Sequence, residues 1–107
     1  MKKLDPSQLQ PLLSALPDWR MDTERSSLSR EYTFADFLQA FGFMTKIAIA
    51  SETKNHHPEW ANVYNRVSIT WTTHDAGGIT QNDIDMAREC DQCFAKLVAP
   101  VTGFVNA

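Results

Sequence analysis

The 107-residue sequence has few of the features that define several common classes of protein. Cys90 and Cys93 are its two cysteines, and no second pair completes a four-ligand zinc site. Lysine and arginine form no block beyond Lys2 and Lys3, and the net charge is −3, so no basic surface is expected for direct binding of nucleic acid or anionic lipid. Polar residues interrupt every apolar stretch, which excludes a signal peptide and a membrane span. We therefore expect a cytoplasmic protein.

The spacing of Cys90 and Cys93 is that of a C-x-x-C motif, which in other proteins carries redox chemistry. Such a motif needs its first thiol at the N-terminus of a helix, where the helix dipole stabilises the thiolate. Here the helical pattern already runs upstream of Cys90. The sequence therefore predicts a buried pair of thiols.

The residues that are present are those of an ordinary globular protein. Hydrophobic residues make up 43% and charged residues 21% of the chain, which argues against disorder. The length fits one compact domain over residues 1–107, with a single core. The sequence shows no internal repeat, low-complexity segment or linker, so any site must be built from this one domain and its loops.

Alternating and helical patterns predict two hairpins and three helices. Asp5-Pro6 with Gln8 forms the start signal of a first helix that ends before Pro17. Alternation at residues 19–23 and 28–34 around a turn at 24–27 predicts the first hairpin. Alternation at residues 60–63 and 67–73 around a turn at Tyr64-Asn65 predicts the second. A last helix is predicted up to residue 98, with Thr80 and Asp83 as its capping pair.

The longest helix is predicted over residues 34–53, with Thr33 and Asp36 as its capping residues. One apolar stripe with a period near 3.6 contains Phe37, Leu38, Phe41, Met44, Thr45 and Ala48. Further apolar residues lie off this stripe, at Phe43, Ile47 and Ile49. A small domain needs only one buried face on such a helix, so the second face is expected to form a subunit contact.

Together these elements follow the order α-β-β-α-β-β-α. That order predicts an α+β fold with a four-stranded antiparallel sheet, covered on one face by three helices. The other face of the sheet is then left exposed or paired.

All three histidines of the chain flank the second predicted hairpin. His56 and His57 precede it, and Pro58 favours extended geometry at His57, so an irregular turn could direct both rings into one cleft. His74 ends its last strand, and the start of one antiparallel strand lies beside the end of its neighbour. With an ordinary pKa of about 6.5, histidine can act as acid or base near neutrality. We therefore expect acid–base catalysis.

Two other interpretations of the histidines remain. Surface histidines are commonly no more than solvated polar residues. Three neutral imidazoles can also bind a catalytic zinc ion, but His56 and His57 lack the i, i+4 spacing that places two ligands on one helix face.

The region around the histidines resembles the pterin-4a-carbinolamine dehydratases. The resemblance covers roughly residues 19–97, and its most specific part is the His-His-Pro-x-Trp element with Thr-His downstream. It is carried by the segment ETKNHHPEW at residues 52–60, the segment AFGFMT at residues 40–45, and by Asn62, Val63, Tyr64, Asn65, Val67, Ile69, Thr73, His74, Gly78 and Asp83.

The resemblance implies an enzyme that removes water from 4a-hydroxytetrahydropterin and forms quinonoid dihydropterin in tetrahydrobiopterin recycling. It implies no metal and no organic cofactor. A homodimer or homotetramer is expected, and some family members also stabilise the dimer of a transcription factor. A non-catalytic interaction module, acting as a dimerisation cofactor or coactivator, is therefore the alternative function.

The resemblance also implies the site residues. His56 and His74 match the proton-transfer pair, and His57 matches a pterin-binding residue that assists catalysis. Further pterin-binding positions are matched by Glu52, Pro58, Trp60, Thr73, Asp75 and Ala76, with Trp19 as a second apolar wall beside Trp60. Both tryptophans have core packing as a simpler role, and helix capping is the simpler role for Asp83, a supporting residue. The chain departs from the family at Trp71, where a smaller aliphatic residue is common, and at Gly77-Gly78.

Overall fold

The computed structural model describes residues 2–99. In chain order the elements are α1 (Pro6–Ser14), β1 (Arg20–Asp22), β2 (Ser27–Thr33), α2 (Phe37–Lys54), β3 (Glu59–Val63), β4 (Arg66–Thr72), a short 3₁₀ turn (His74–Ala76) and α3 (Gln81–Val98). The α+β class and the predicted order of helices and strands are confirmed.

The four strands form one antiparallel sheet in the order β1-β2-β4-β3. Because side chains alternate along a strand, one face of the sheet is apolar and packs against the helices. The buried residues of β2 and β4 on that face are Leu28, Tyr32, Val67, Ile69 and Trp71. On the opposite face the hydroxyls of Ser29 and Thr70 lie 2.8 Å apart across the two strands. The core therefore lies between one sheet face and the helices.

Helix α2 begins three residues later than predicted. Its N-cap is Asp36, whose carboxylate accepts a hydrogen bond from the backbone N–H of Gln39 at 2.8 Å. Thr33 is still part of β2, where it is paired with Arg66, and Phe34 is a buried core residue. The strand ladder thus takes Thr33, which the sequence pattern assigned to the helix cap.

The predicted buried stripe of α2 is wrong. Its buried residues are Ala40, Phe43, Ile47 and Ser51, whereas Phe37, Leu38 and Phe41 of the predicted stripe are exposed, as is Ile49. Helix α2 packs against α3 and β4 through the buried set. Both sets have helical spacing, so periodicity could not decide which one faces the core.

The two cysteines are buried in α3 and remain free thiols, as predicted. Burial raises the pKa of both thiols. No helix within residues 2–99 combines the length and the apolar character needed to cross a membrane.

Candidate active site

The loops before β3 and after β4 meet at one edge of the sheet. Glu59 at the start of β3 is paired with Thr70, two residues before the end of β4. The segment 55–58 therefore enters the sheet beside the point where residues 73–80 leave it. This is the arrangement that the sequence predicted for the two histidine-bearing segments.

A buried carboxylate, that of Asp83, joins these segments. Its Oδ2 atom accepts hydrogen bonds from the backbone N–H of Thr80 and the hydroxyl of Thr73, each at 2.9 Å. Its Oδ1 atom lies 2.6 Å from Nε2 of His56. Asp83 thus caps α3, as the sequence predicted, and also binds the loop after α2 and the residue that follows β4.

The end of α2 places His56 beside this carboxylate. Asn55 takes the left-handed conformation with φ 51° and ends the helix. The backbone N–H of His56 then donates to the carbonyl of Ser51 at 3.0 Å, which directs the following chain back toward the sheet. The His56 side chain is 11% exposed, and its ring lies nearly parallel to that of Trp71, at 17° with centroids 5.6 Å apart.

The hydrogen bond to Asp83 determines which nitrogen of His56 carries a proton. An ionised carboxylate only accepts hydrogen bonds, so Nε2 is the protonated nitrogen in the neutral ring. Within residues 2–99, Nδ1 makes no hydrogen bond, and it is not among the buried polar atoms that lack a partner. An accessible Nδ1 lone pair is available to accept a proton from a ligand.

The other two histidines also direct Nε2 toward a carboxylate, but at the surface. Nε2 of His57 lies 2.5 Å from Oε2 of Glu52, and Nε2 of His74 lies 3.3 Å from Oε2 of Glu59. All four side chains are more than half exposed. The chain therefore has one enclosed histidine–carboxylate pair and two solvent-exposed pairs near the same sheet edge. Among residues 2–99, no three His, Cys, Asp or Glu side chains are arranged to hold a metal ion.

Thr73 and His74 direct their side chains to opposite faces of the sheet. Thr73 has the same strand parity as Trp71, and its side chain reaches Asp83 on the inner side of the sheet. His74 has the parity of Thr70 and Thr72. Its ring, 77% exposed, lines with them a cavity of about 150 Å³ on the outer face. The rings of His56 and His57 are absent from that lining.

Most of the remaining predicted residues lie in the same two segments. Pro58 lies between His57 and Glu59, and Asp75 and Ala76 form the turn after Thr73. Trp60 on β3 is half-buried, packs against the core, and is paired with Ile69 of β4.

Trp19 is the predicted residue that the structure places elsewhere. It is buried, and its indole N–H donates to Asp91 at 3.0 Å. Asp91 lies eight residues beyond Asp83 on α3, or about 12 Å along the helix axis. The core role considered for Trp19 is therefore the one observed, because its ring packs against Tyr32 and not against the histidine segments.

Sequence reasoning missed two neighbours of the histidines. Glu59 lies inside the recognised element but was not given a role beside His74. The alternation of Trp71 with Val67 and Ile69 places it on the inner face, but no sequence signal links it to His56. The stack with His56 joins positions 15 residues apart, which local patterns do not reveal.

Fold and site together define a small α+β protein with a histidine–carboxylate site at one sheet edge. The family model described as pterin 4 alpha carbinolamine dehydratase matches residues 2–93. The chain belongs to this family.

Individual relatives agree with this assignment. A protein of Rhizorhabdus wittichii, provisionally named pterin-4-alpha-carbinolamine dehydratase, is 56% identical over 70% of this chain and 77% of its own length. A Burkholderia cenocepacia protein with the same provisional name is 51% identical over 83% of this chain and 87% of its own length. The crystal structure of a transcriptional coactivator/pterin dehydratase from Brucella melitensis matches with a TM-score of 0.81 and 41% identity. That match covers 86% of this chain and 98% of the other.

Proposed function

We propose that this protein dehydrates 4a-hydroxytetrahydropterin to quinonoid dihydropterin by histidine acid–base catalysis, and so serves tetrahydrobiopterin recycling. Membership of the pterin carbinolamine dehydratase family supports the substrate class. The observation that carries the mechanism is the His56 ring, which directs its Nε2 proton at buried Asp83 and whose Nδ1 lone pair has no hydrogen-bond partner in the described part of the chain.

The reaction needs two proton transfers. A base takes the proton from N5 of the pterin, and the electron pair released forms the N5=C4a double bond as the C4a–O bond breaks. An acid gives a proton to the departing hydroxyl, which leaves as water. Each well-placed transfer is typically worth about 10²–10⁴-fold in rate.

His56 suits the role of base. When Nδ1 takes a proton, both ring nitrogens carry one, and the Asp83 carboxylate 2.6 Å from Nε2 stabilises the resulting charge. This pair is enclosed, so its attraction is screened less than that of a surface pair. The Asp83 carboxylate therefore stabilises the ring once it has taken the proton.

His74 suits the role of acid, and His57 assists. Each ring contacts a glutamate carboxylate at the surface, and its exposure allows it to regain a proton from water after turnover. A pterin bound across the sheet edge would meet the His56-His57 doublet on one side and His74 on the other. The backbone of Pro58 and of residues 73–76 then supplies hydrogen bonds to the ring, Trp60 an apolar wall, and Glu52 the orientation of His57.

The test is the rate at which 4a-hydroxytetrahydropterin disappears in a stopped-flow assay, with and without a chelator. His56→Ala and His74→Ala should each lower kcat by about 10²-fold or more. The matched control is Glu24→Gln in the exposed turn between β1 and β2, which should not change the rate. Unchanged turnover in both histidine variants would refute the mechanism, and loss of activity with chelator would refute the metal-free reaction.

A homo-oligomer is the second part of the proposal. Phe37, Leu38, Phe41 and Ile49 form an exposed apolar face on α2, with Leu38 79% exposed. Large apolar side chains grouped in this way are typical of a protein contact surface. A second chain of this protein would cover them in a homodimer or homotetramer.

The same α2 face offers a second candidate function. The Brucella melitensis relative is described as a transcriptional coactivator as well as a dehydratase. A transcription-factor partner of this chain would bind on α2 and would not need the histidines.

Leu38→Glu tests the α2 contact, because it adds a charge to an exposed position without disturbing the core. We expect a lower mass in sedimentation, with the fold retained in circular dichroism. Gln10→Glu on exposed α1 adds the same charge elsewhere and should leave the mass unchanged. An unchanged mass in Leu38→Glu would place the subunit contact on another surface.

A further inference from the structure

Trp71 lies directly against the proposed base. It is fully buried on the inner face of β4. Its ring lies at 17° to that of His56, with centroids 5.6 Å apart. This is the spacing of an offset stack between two aromatic rings.

The hydrogen bond to Asp83 alone leaves one motion of His56 free. A single contact at Nε2 holds one atom of the ring, and the ring can still pivot about that atom. A flat surface parallel to the ring blocks this pivot. Asp83 and Trp71 together therefore determine where the Nδ1 lone pair points.

Trp71 is also not an obvious choice for stability alone. Its indole N–H is buried and makes no hydrogen bond within residues 2–99, and the nearby Cys90 sulfur is a weak acceptor. An unpaired buried donor is destabilising. Leucine would fill a core position without that donor, so a further role for a flat aromatic surface is indicated.

We propose that Trp71 is a positioning residue that holds the His56 ring in its reactive orientation. This inference rests on the proposed function of His56 as the base. Trp71 does not touch the reacting atoms itself. Its removal should therefore lower kcat through His56 while leaving the binding of the pterin, and hence KM, nearly unchanged.

The test compares Trp71→Leu, which removes the flat surface, with Trp71→Phe, which keeps an aromatic ring and removes the unpaired N–H. We expect Trp71→Leu to lower kcat by about tenfold to a hundredfold, because misplacing a catalytic group by about 1 Å has effects of that size. KM should stay within about twofold, and Trp71→Phe should restore most of kcat.

Phe43→Leu is the matched control for loss of core packing. Phe43 is also a fully buried aromatic residue, but its ring packs against Tyr32 and Phe34. All rates are measured per folded molecule, at a temperature where urea titration shows each variant to be folded. Phe43→Leu should then retain the wild-type kcat.

A spectroscopic measurement tests the stack without substrate. In the wild-type protein the indole ring current should shift the NMR signals of the His56 ring protons upfield, and Trp71→Leu should remove this shift. If the wild-type protein dehydrates no pterin, the proposed function fails and the NMR result still tests the stack. If it is active but Trp71→Leu and Phe43→Leu have equal kcat values, the positioning role is refuted.

Discussion

Asp83→Asn tests how one buried carboxylate controls the tautomer of His56. The substitution keeps the shape of the side chain but turns one of its two oxygens into an NH₂ group. The Oδ2 atom accepts hydrogen bonds from the Thr80 N–H and the Thr73 hydroxyl, each at 2.9 Å, and a longer one from the Thr80 hydroxyl at 3.3 Å. Within residues 2–99, the single partner of Oδ1 is Nε2 of His56, at 2.6 Å.

The amide that replaces the carboxylate has two orientations, and their costs differ. An NH₂ group facing the Thr80 N–H would set two donors against each other, which costs about 1–3 kcal/mol for the unpaired buried group and loses the helix cap. An NH₂ group facing His56 avoids this cost, because the ring can move its proton to Nδ1 and accept at Nε2. The second orientation should therefore prevail.

The expected result is a protein that folds but reacts slowly. Replacing a charge-assisted hydrogen bond by a neutral one should cost about 1 kcal/mol of unfolding free energy. With its proton on Nδ1, His56 can no longer accept a proton there, so kcat should fall about 10²–10⁴-fold. That fall corresponds to about 3–5 kcal/mol of activation free energy, so the two effects can be separated.

The assay pairs stopped-flow turnover with urea unfolding, and ¹⁵N NMR of the imidazole reports the tautomer directly. Asp85→Asn is the matched control, since Asp85 lies on the same helix and accepts from the Gln81 side chain at 2.9 Å. It should leave both kcat and the His56 tautomer unchanged. A kcat for Asp83→Asn within about threefold of the wild-type value would refute the argument.

Three further predictions concern stability and reactivity. The unfolding free energy should fall as pH rises above about 9, because burial raises the pKa of the Cys90 thiol and the Tyr32 phenol, which therefore ionise first in the unfolded chain. Equal values in urea titrations at about pH 7 and 10.5 would contradict this. Both buried thiols should react with a disulfide reagent far more slowly in native than in urea-unfolded protein, and equal rates would show that they are accessible. Gly78→Ala should lower the unfolding free energy by about 1–3 kcal/mol, because the added Cβ would lie 2.9 Å from the Cβ of Lys3. Gly42→Ala is the control, because an added Cβ there would have no atom within 4 Å. Equal unfolding free energies for the two variants would show that the Lys3 segment can move away from the added methyl group without loss of stability.

Local signals explain why most of the fold could be predicted. The alternation in β2 and β4 and the capping pair of Thr80 and Asp83 act over neighbouring residues, where hydrogen bonds and side-chain period are set by the chain itself. The start of α2 was predicted less well. The side chains of Thr33 and Asp36 could each accept the capping hydrogen bond of the helix. Only the pairing with β4 assigned Thr33 to a strand.

The sequence could predict which two segments meet at the candidate site, but not how their side chains are arranged. The pattern around His56, His57 and His74 identified the two segments that meet at the sheet edge. It did not show that each Nε2 faces a carboxylate. It also did not show that His74 lies on the outer face of the sheet, although the parity of β4 carried that information.

The amino-acid sequence by itself determined the helices and strands, their order, and the family to which the chain belongs. These follow from hydrogen bonds and periodicities that span a few residues, and from a short motif. Tertiary structure decided which apolar face of α2 is buried, and it placed His56 between Asp83 and Trp71. Such contacts join residues 15 or more positions apart, so they are set by the packing of whole elements and not by any local pattern.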